Sequence, residues 1–92
     1  MTRVIRATIL SILEGDEQFY EQLRSQGLLP ADEETLSATH VEVARVTHTL
    51  VRELEVNWAG VEVVLRMRSE LIETRQQVAE LLALLRGRES KG

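Results

Sequence analysis

The stretch that decides the fold is LEVNWAGVEVVLRMRSEL, residues 54–71. Asn57 is the expected N-cap of a helix, because its side-chain oxygen can accept a backbone N–H of the first helical turn. The helix is predicted to run from residue 58 to about residue 86, where Gly87 supplies a C-terminal stop. Those 29 residues would span roughly 43 Å, which exceeds the width of a small domain. We therefore expect something outside one compact core to cover the far end of this helix.

The predicted long helix carries a wide apolar stripe. Part of the stripe repeats every seven residues, as in a coiled-coil seam, at Val64, Leu71, Val78 and Leu85. Arg68 and Arg75 lie within the stripe, where they either extend into water from its edge or pair with acids on a partner helix. No other part of the chain is left to cover the distal half, so we expect a homodimer, parallel or antiparallel. Its expected interface residues are Leu71, Val78, Leu82 and Leu85.

Three shorter helices are predicted before the long one. The first lies within residues 4–13 and ends at Gly15. Asp16 can cap the second helix, and Gly27 ends it. The apolar residues of these two helices are Ile5, Ile9, Ile12, Leu13, Phe19, Tyr20 and Leu23. Together the two helices predict a helix-turn-helix-like unit, followed at residues 30–35 by a loop or a reduced β-wing.

Ser37 is the expected N-cap of the third helix, over residues 38 to about 54. Its many β-branched residues individually prefer strands, but a run of this length without glycine or proline favours a helix. The residues on its expected inner face are Val43, Ala44, Leu50, Val51 and Leu54. The sequence thus predicts an all-α protein in three parts: a degenerate winged helix-turn-helix unit at 1–56, a long C-terminal coiled-coil-forming helix at 57–87, and a disordered tail at 88–92.

Composition excludes several classes of function. The chain has no cysteine, so disulfides and thiolate metal sites are excluded. His40 and His48 are eight residues apart on one helix, too far to chelate one metal together, so each is expected at a helix surface or near a cap. No nucleophile motif or phosphate-binding loop is present, and no apolar run is long enough to span a membrane. We expect a cytoplasmic protein that is not an enzyme and has no cofactor or metal.

The net charge of −4 lies entirely in residues 1–36, which hold three basic and seven acidic residues. In a DNA-binding helix-turn-helix the second helix enters the major groove, and basic residues on it and on the wing hold phosphates. Here the second helix carries Glu17 and Glu21 against Arg24 alone, and the wing position has no basic residue. Specific DNA binding is therefore not expected, because like charges oppose association with phosphate.

The order of these features resembles the chaperone-modulator (CbpM-type) branch of the MerR superfamily, and the long helix resembles that of HspR-like members. The residues that carry the resemblance are Gly27-Leu28-Leu29, Leu36-Ser37 and Asn57-Trp58-Ala59-Gly60. The chain departs from the family at Glu55, where glycine is usual, at Trp58, where leucine is usual, and at Leu36, where an aromatic is usual. Trp58 itself is either a packing residue between helices or an exposed binding anchor.

The resemblance implies that the protein binds and inhibits the J-domain of a DnaJ-type co-chaperone. J-domains carry a basic face, which an acidic second helix would suit. The expected partner-binding residues are Asp16, Glu17 and Glu21, with Tyr20 as an aromatic anchor. The same acids would equally suit a solvated helix start. A MerR/HspR-like transcriptional regulator is the alternative function, and a structural dimerisation module is the third.

Overall fold

The computed structural model describes residues 4–90, and these contain no β-strand. The chain divides into two compact units, residues 1–61 and residues 62–92. The prediction of an all-α fold is confirmed. The absence of strands from the described residues means that no β-wing forms over 30–35, and the loop there holds only a short 3₁₀ turn, Glu33–Thr35.

Four α-helices follow one another along the chain. They are α1 (Arg6–Ile12), α2 (Glu17–Ser25), α3 (Ala38–His48) and α4 (Trp58–Ser90). A π-helical turn, Thr49–Glu53, continues α3 and completes the predicted third helix. The turn between α1 and α2 contains Gly15 at φ 78°, and α2 is followed by Gly27 at φ 77°. Both glycines adopt the left-handed conformation that ends helices, as predicted.

The core of the first unit forms where α1 and α2 pack on α3. Its buried hydrophobic residues are Ile9, Leu13, Phe19, Tyr20, Leu23, Leu29, Leu36 and Ala44. The predicted apolar face of α2 is confirmed in full. On α1 the prediction holds for Ile9 and Leu13, but Ile5 is exposed. On α3 Ala44 is buried as predicted, whereas Leu54 lies beyond the helix and is 63% exposed.

The α3 helix forms although five of its eleven residues are β-branched and would individually favour strands. A capping box fixes its start: the Ser37 N–H donates to Nδ1 of His40, at 3.0 Å. Burial of Ala44 and Thr47 then holds one side of the helix against the core. Tertiary packing and a cap thus outweigh the weak local preference.

The start of α4 belongs to the first compact unit as far as Val61, because Trp58 packs against the core of that unit and Val61 is 1% exposed. The predicted end of the long helix changes. The prediction that Gly87 ends the long helix is wrong, since α4 continues to Ser90. Residues 88–90 of the predicted disordered tail are therefore helical, and residues 91–92 lie outside the described part of the chain. Glycine lowers helix stability without forbidding a helix, so Gly87 can remain within one.

Candidate partner-binding surface

Asp16 has two structural roles at the start of α2. Its Oδ1 accepts a hydrogen bond from the Phe19 N–H at 3.0 Å, which is the predicted N-cap. Its Oδ2 lies 3.2 Å from a guanidinium nitrogen of Arg52, on the π-helical turn. Both carboxylate oxygens are therefore engaged within the chain, and Asp16 has little charge left to offer a partner.

Arg52, which was not predicted from the sequence, belongs to a cluster around Phe19. The Arg52 guanidinium lies 5.1 Å from the centre of the Phe19 ring, within the range of a cation–π contact. His48 meets the same ring edge-on at 5.1 Å, and Trp58 stacks on it at 5.9 Å. Trp58 is thus a packing residue between helices, which is the first of the two interpretations given for it above. No sequence pattern indicated these contacts, because they join residues from α2, α3, the π-helical turn and α4.

Tyr20 is not available as an aromatic anchor. It is only 1% exposed, and the Arg6 guanidinium lies 5.0 Å from the centre of its ring. Burial, with a smaller contribution from the nearby Glu33 carboxylate, raises the pKa of the Tyr20 hydroxyl above its ordinary value of 10.0. The prediction that Tyr20 contacts a partner is corrected: its position on the inner face of α2 makes it a core residue.

Glu17 and Glu21 are both exposed on the outer side of α2. Glu21 forms an ion pair with Arg24 at 3.1 Å, one helical turn further on. Such exposed pairs contribute at most about 1 kcal/mol, so Glu21 can exchange this contact for another at little cost. Of the four predicted partner-binding residues, these two lie at the surface.

The arginines of the first unit are all paired with acids within the chain, as far as the described residues go. The pairs are Arg6–Glu33 at 3.7 Å, Arg24–Glu21 at 3.1 Å, Arg45–Glu42 at 2.7 Å and Arg52–Asp16 at 3.2 Å. The acids of residues 4–61 that form no ion pair with another described residue are all exposed: Glu14, Glu17, Asp32, Glu34, Glu53 and Glu55. The surface of this unit therefore carries an excess of negative charge.

The start of α4 explains the most specific part of the sequence pattern. The Asn57 Oδ1 accepts a hydrogen bond from the Gly60 N–H at 2.8 Å, so the predicted N-cap is confirmed. A Cβ on Gly60 would lie 2.7 Å from Cγ1 of Val56 and 3.3 Å from Oδ1 of Asn57. Asparagine and glycine are thus required together, because the cap closes over a position that has no room for a side chain.

Glu55 adopts φ 56°, a left-handed conformation that favours glycine. This is the position at which the resembled family usually has glycine. The backbone turn before α4 therefore carries strain that a glycine at residue 55 would avoid.

The two histidines are not placed to bind a metal. His40 belongs to the capping box with Ser37, and His48 packs against Phe19. Within residues 4–90, no three His, Asp or Glu side chains come together as a group that could hold a metal ion. The prediction of a cap-proximal position is confirmed for His40.

The second unit is formed by α4 alone from Glu62 onward. The four residues predicted to form a dimer interface are about half exposed there: Leu71 at 51%, Val78 at 50%, Leu82 at 46% and Leu85 at 47%. A shallow groove on this helix is lined by Val64, Met67, Arg68, Glu70, Leu71 and Thr74. Over the described part of the chain, no helix combines the length and the apolar character needed to cross a membrane.

Comparison with known proteins gives no relative: no family model, no curated protein and no solved structure matches this chain.

Proposed function

We propose that this protein is a chaperone-modulator-like interaction protein that binds the J-domain of a DnaJ-type co-chaperone and inhibits it. The observation that carries the proposal is the charge arrangement of the first unit. Residues 1–61 hold five arginines and ten acids, and each described arginine is paired within the chain. The remaining exposed acids would attract a basic surface and repel an acidic one.

The start of α4 supports the choice of this partner over other basic proteins. The resemblance to chaperone modulators rests most on residues 54–68, and the cap between Asn57 and Gly60 gives part of that pattern a physical reason. The left-handed backbone at Glu55 supports the same likeness, because it matches a position where the family has glycine. A cytoplasmic location is part of this proposal.

A MerR/HspR-like regulator remains the alternative, and the charge arrangement disfavours it. A protein that binds duplex DNA needs cations to replace the counterions of the phosphates. On α2 the single cation, Arg24, is already paired with Glu21. We therefore propose that the protein does not bind DNA specifically. A sequence-selective shift of duplex DNA at physiological salt, lost in Arg24→Ala, would instead favour the regulator.

Self-association is the second part of the proposal. The half-exposed residues of α4, Leu71, Val78, Leu82 and Leu85, are proposed to form a homodimer interface. Exposed apolar side chains on one helix face gain stability when a second helix covers them. If J-domain binding is absent, this surface alone would favour a structural dimerisation module. Sedimentation equilibrium at micromolar concentration tests the point, and a single 10.5 kDa species would contradict it.

The binding site is tested by reversing the two surface acids of α2. The double variant Glu17→Lys, Glu21→Lys should weaken J-domain binding, mainly by slowing association, since rim charges act on the on-rate. The matched control is Glu73→Lys, Glu80→Lys, which changes the net charge equally at two exposed positions of α4. Equal loss in both double variants would show that only overall charge matters. Unchanged binding in the α2 variant would place the site elsewhere on the molecule.

A further inference from the structure

We propose that the two α4 helices pair in parallel and in register, with Glu70 of each helix beside Arg75 of the other. The inference rests on the self-association proposed above and assigns its orientation. It depends on the pattern of residues 62–90 alone, so its test does not involve the J-domain.

The groove on α4 indicates which residues would face the second helix. Four of its six lining residues, Val64, Met67, Leu71 and Thr74, follow one another at alternating spacings of three and four residues. This alternation is that of the two core positions of a coiled coil. The same alternation continues through Val78, Leu81 and Leu85, all of which are exposed. Thr74 is the one polar residue in this seam.

A second set of residues on the same helix could form the core of the pair instead. It would use the seven-residue series Val61, Arg68, Arg75 and Leu82 together with Val64, Leu71, Val78 and Leu85. That choice places two guanidinium groups in the middle of the interface. Moving the Arg75 guanidinium from water into an apolar seam is costly, so the seam with a single threonine is favoured. In this seam Arg68 and Glu70 flank the core on opposite sides, and both also line the groove. Leu82 of the proposed interface directly follows the core residue Leu81, so it lies at the edge of the seam on the same side as Arg68 and Arg75.

Charge complementarity then selects the orientation. In the favoured seam Glu70 directly precedes the core residue Leu71, and Arg75 directly follows the core residue Thr74. In a parallel, in-register pair these two flanking positions, five residues apart, lie beside each other across the interface. The dimer would contain two such Glu70–Arg75 pairs. Neither residue forms an ion pair within its own chain over residues 4–88, so both charges are available.

An antiparallel pair brings like charges together. In that orientation the flanking position that Arg75 occupies lies beside the same type of position on the other helix, and so does the flanking position that Glu70 occupies. Full overlap of residues 62–90 centres the pair near residue 76, which places Arg75 beside Arg75 of the second copy. Two guanidinium groups at this distance repel each other, and Glu70 gains no cation in exchange.

Single cysteines give a direct test, because the natural chain has none. In the parallel pair Leu85→Cys lies opposite its counterpart and should form a disulfide-linked dimer under mild oxidation. In the fully overlapped antiparallel pair residue 85 instead lies opposite residue 67, roughly 27 Å along the helix from residue 85 of the second copy. A mixture of Met67→Cys and Leu85→Cys chains would then give the mixed cross-link. The matched control is Ser69→Cys, which is exposed and lies outside the seam.

If the pair is parallel and in register, the Leu85→Cys chain should cross-link to a second copy of itself. The mixture of Met67→Cys and Leu85→Cys chains should give no mixed cross-link, and Ser69→Cys should give no cross-link. A predominant mixed product would overturn the orientation but keep the self-association. A monomer in sedimentation would overturn both. A dimer in which neither seam cysteine reacts would also overturn the proposal, because the interface would then lie elsewhere.

A charge swap tests the ion pairs independently. Glu70→Arg should raise the dimer dissociation constant by about tenfold, since it replaces two attractive pairs with two repulsive ones. Adding Arg75→Glu to the same chain should restore most of the affinity in a parallel dimer. No restoration would contradict the proposed pairs, because in an antiparallel dimer the second change merely exchanges one like-charge contact for another.

Discussion

Replacing Gly60 with alanine should destabilise the protein, although alanine is the better helix former. Within a helix the change by itself favours folding by about 1 kcal/mol. However, the new Cβ would lie 2.7 Å from Cγ1 of Val56, well inside ordinary contact distance. Overpacking of this kind costs about 1–3 kcal/mol, and displacing Asn57 forfeits an N-cap of about 0.5–2 kcal/mol. The net loss of stability should be about 0.5–4 kcal/mol.

The same substitution at Gly87 supplies a matched control on the same helix. A Cβ at Gly87 would meet no atom within 4 Å, so Gly87→Ala should stabilise α4 by up to about 1 kcal/mol. Urea unfolding followed by circular dichroism would measure both variants. One protein concentration must be used throughout, because self-association changes apparent stability. A urea midpoint for Gly60→Ala equal to or above that of the natural protein would contradict the expected loss of stability.

Three further substitutions test the first unit. Glu55→Gly should raise stability by about 0.5–1 kcal/mol in thermal melts, because φ 56° is a left-handed conformation that strains glutamate and does not strain glycine. Thr47→Val should leave stability unchanged or raise it by about 1 kcal/mol in urea titrations, because the buried Thr47 hydroxyl has no hydrogen-bond partner. Tyr20 has a raised pKa, so its contribution to stability is present below about pH 10 and lost as pH rises through the folded-state pKa. Urea unfolding across that alkaline range should therefore show a steeper loss for the natural protein than for Tyr20→Phe.

The helices were predictable where local chemistry decides them. Asp16, Ser37 and Asn57 are all N-caps in the structure, and Gly15 and Gly27 adopt positive φ after helices. Each of these effects depends on a residue and its near neighbours in sequence. The end of α4 was missed at Gly87 because a glycine can either stop a helix or remain within it, and sequence alone does not distinguish the two.

The candidate surface was less predictable because it depends on which face of α2 turns inward. Tyr20 and Glu21 are adjacent in sequence, yet one is buried and the other exposed. Phe19, Tyr20 and Leu23 together define the inner face, so the burial of Tyr20 followed from the apolar pattern itself. The ion pair between Asp16 and Arg52 was not predictable from the apolar pattern, since it joins residues far apart in the chain. Such long-range contacts have no local pattern that predicts them.

Direct titration of the natural protein with an isolated J-domain tests the central claim, which is that the acidic first unit binds this basic partner. We expect saturable binding of the J-domain, with an association rate that falls as the salt concentration rises, because screening weakens attraction between exposed charges. The titration should be run at low salt first, where such attraction is strongest. Absence of binding at low salt would contradict the claim. Binding that does not change with salt would show that the acids do not direct it.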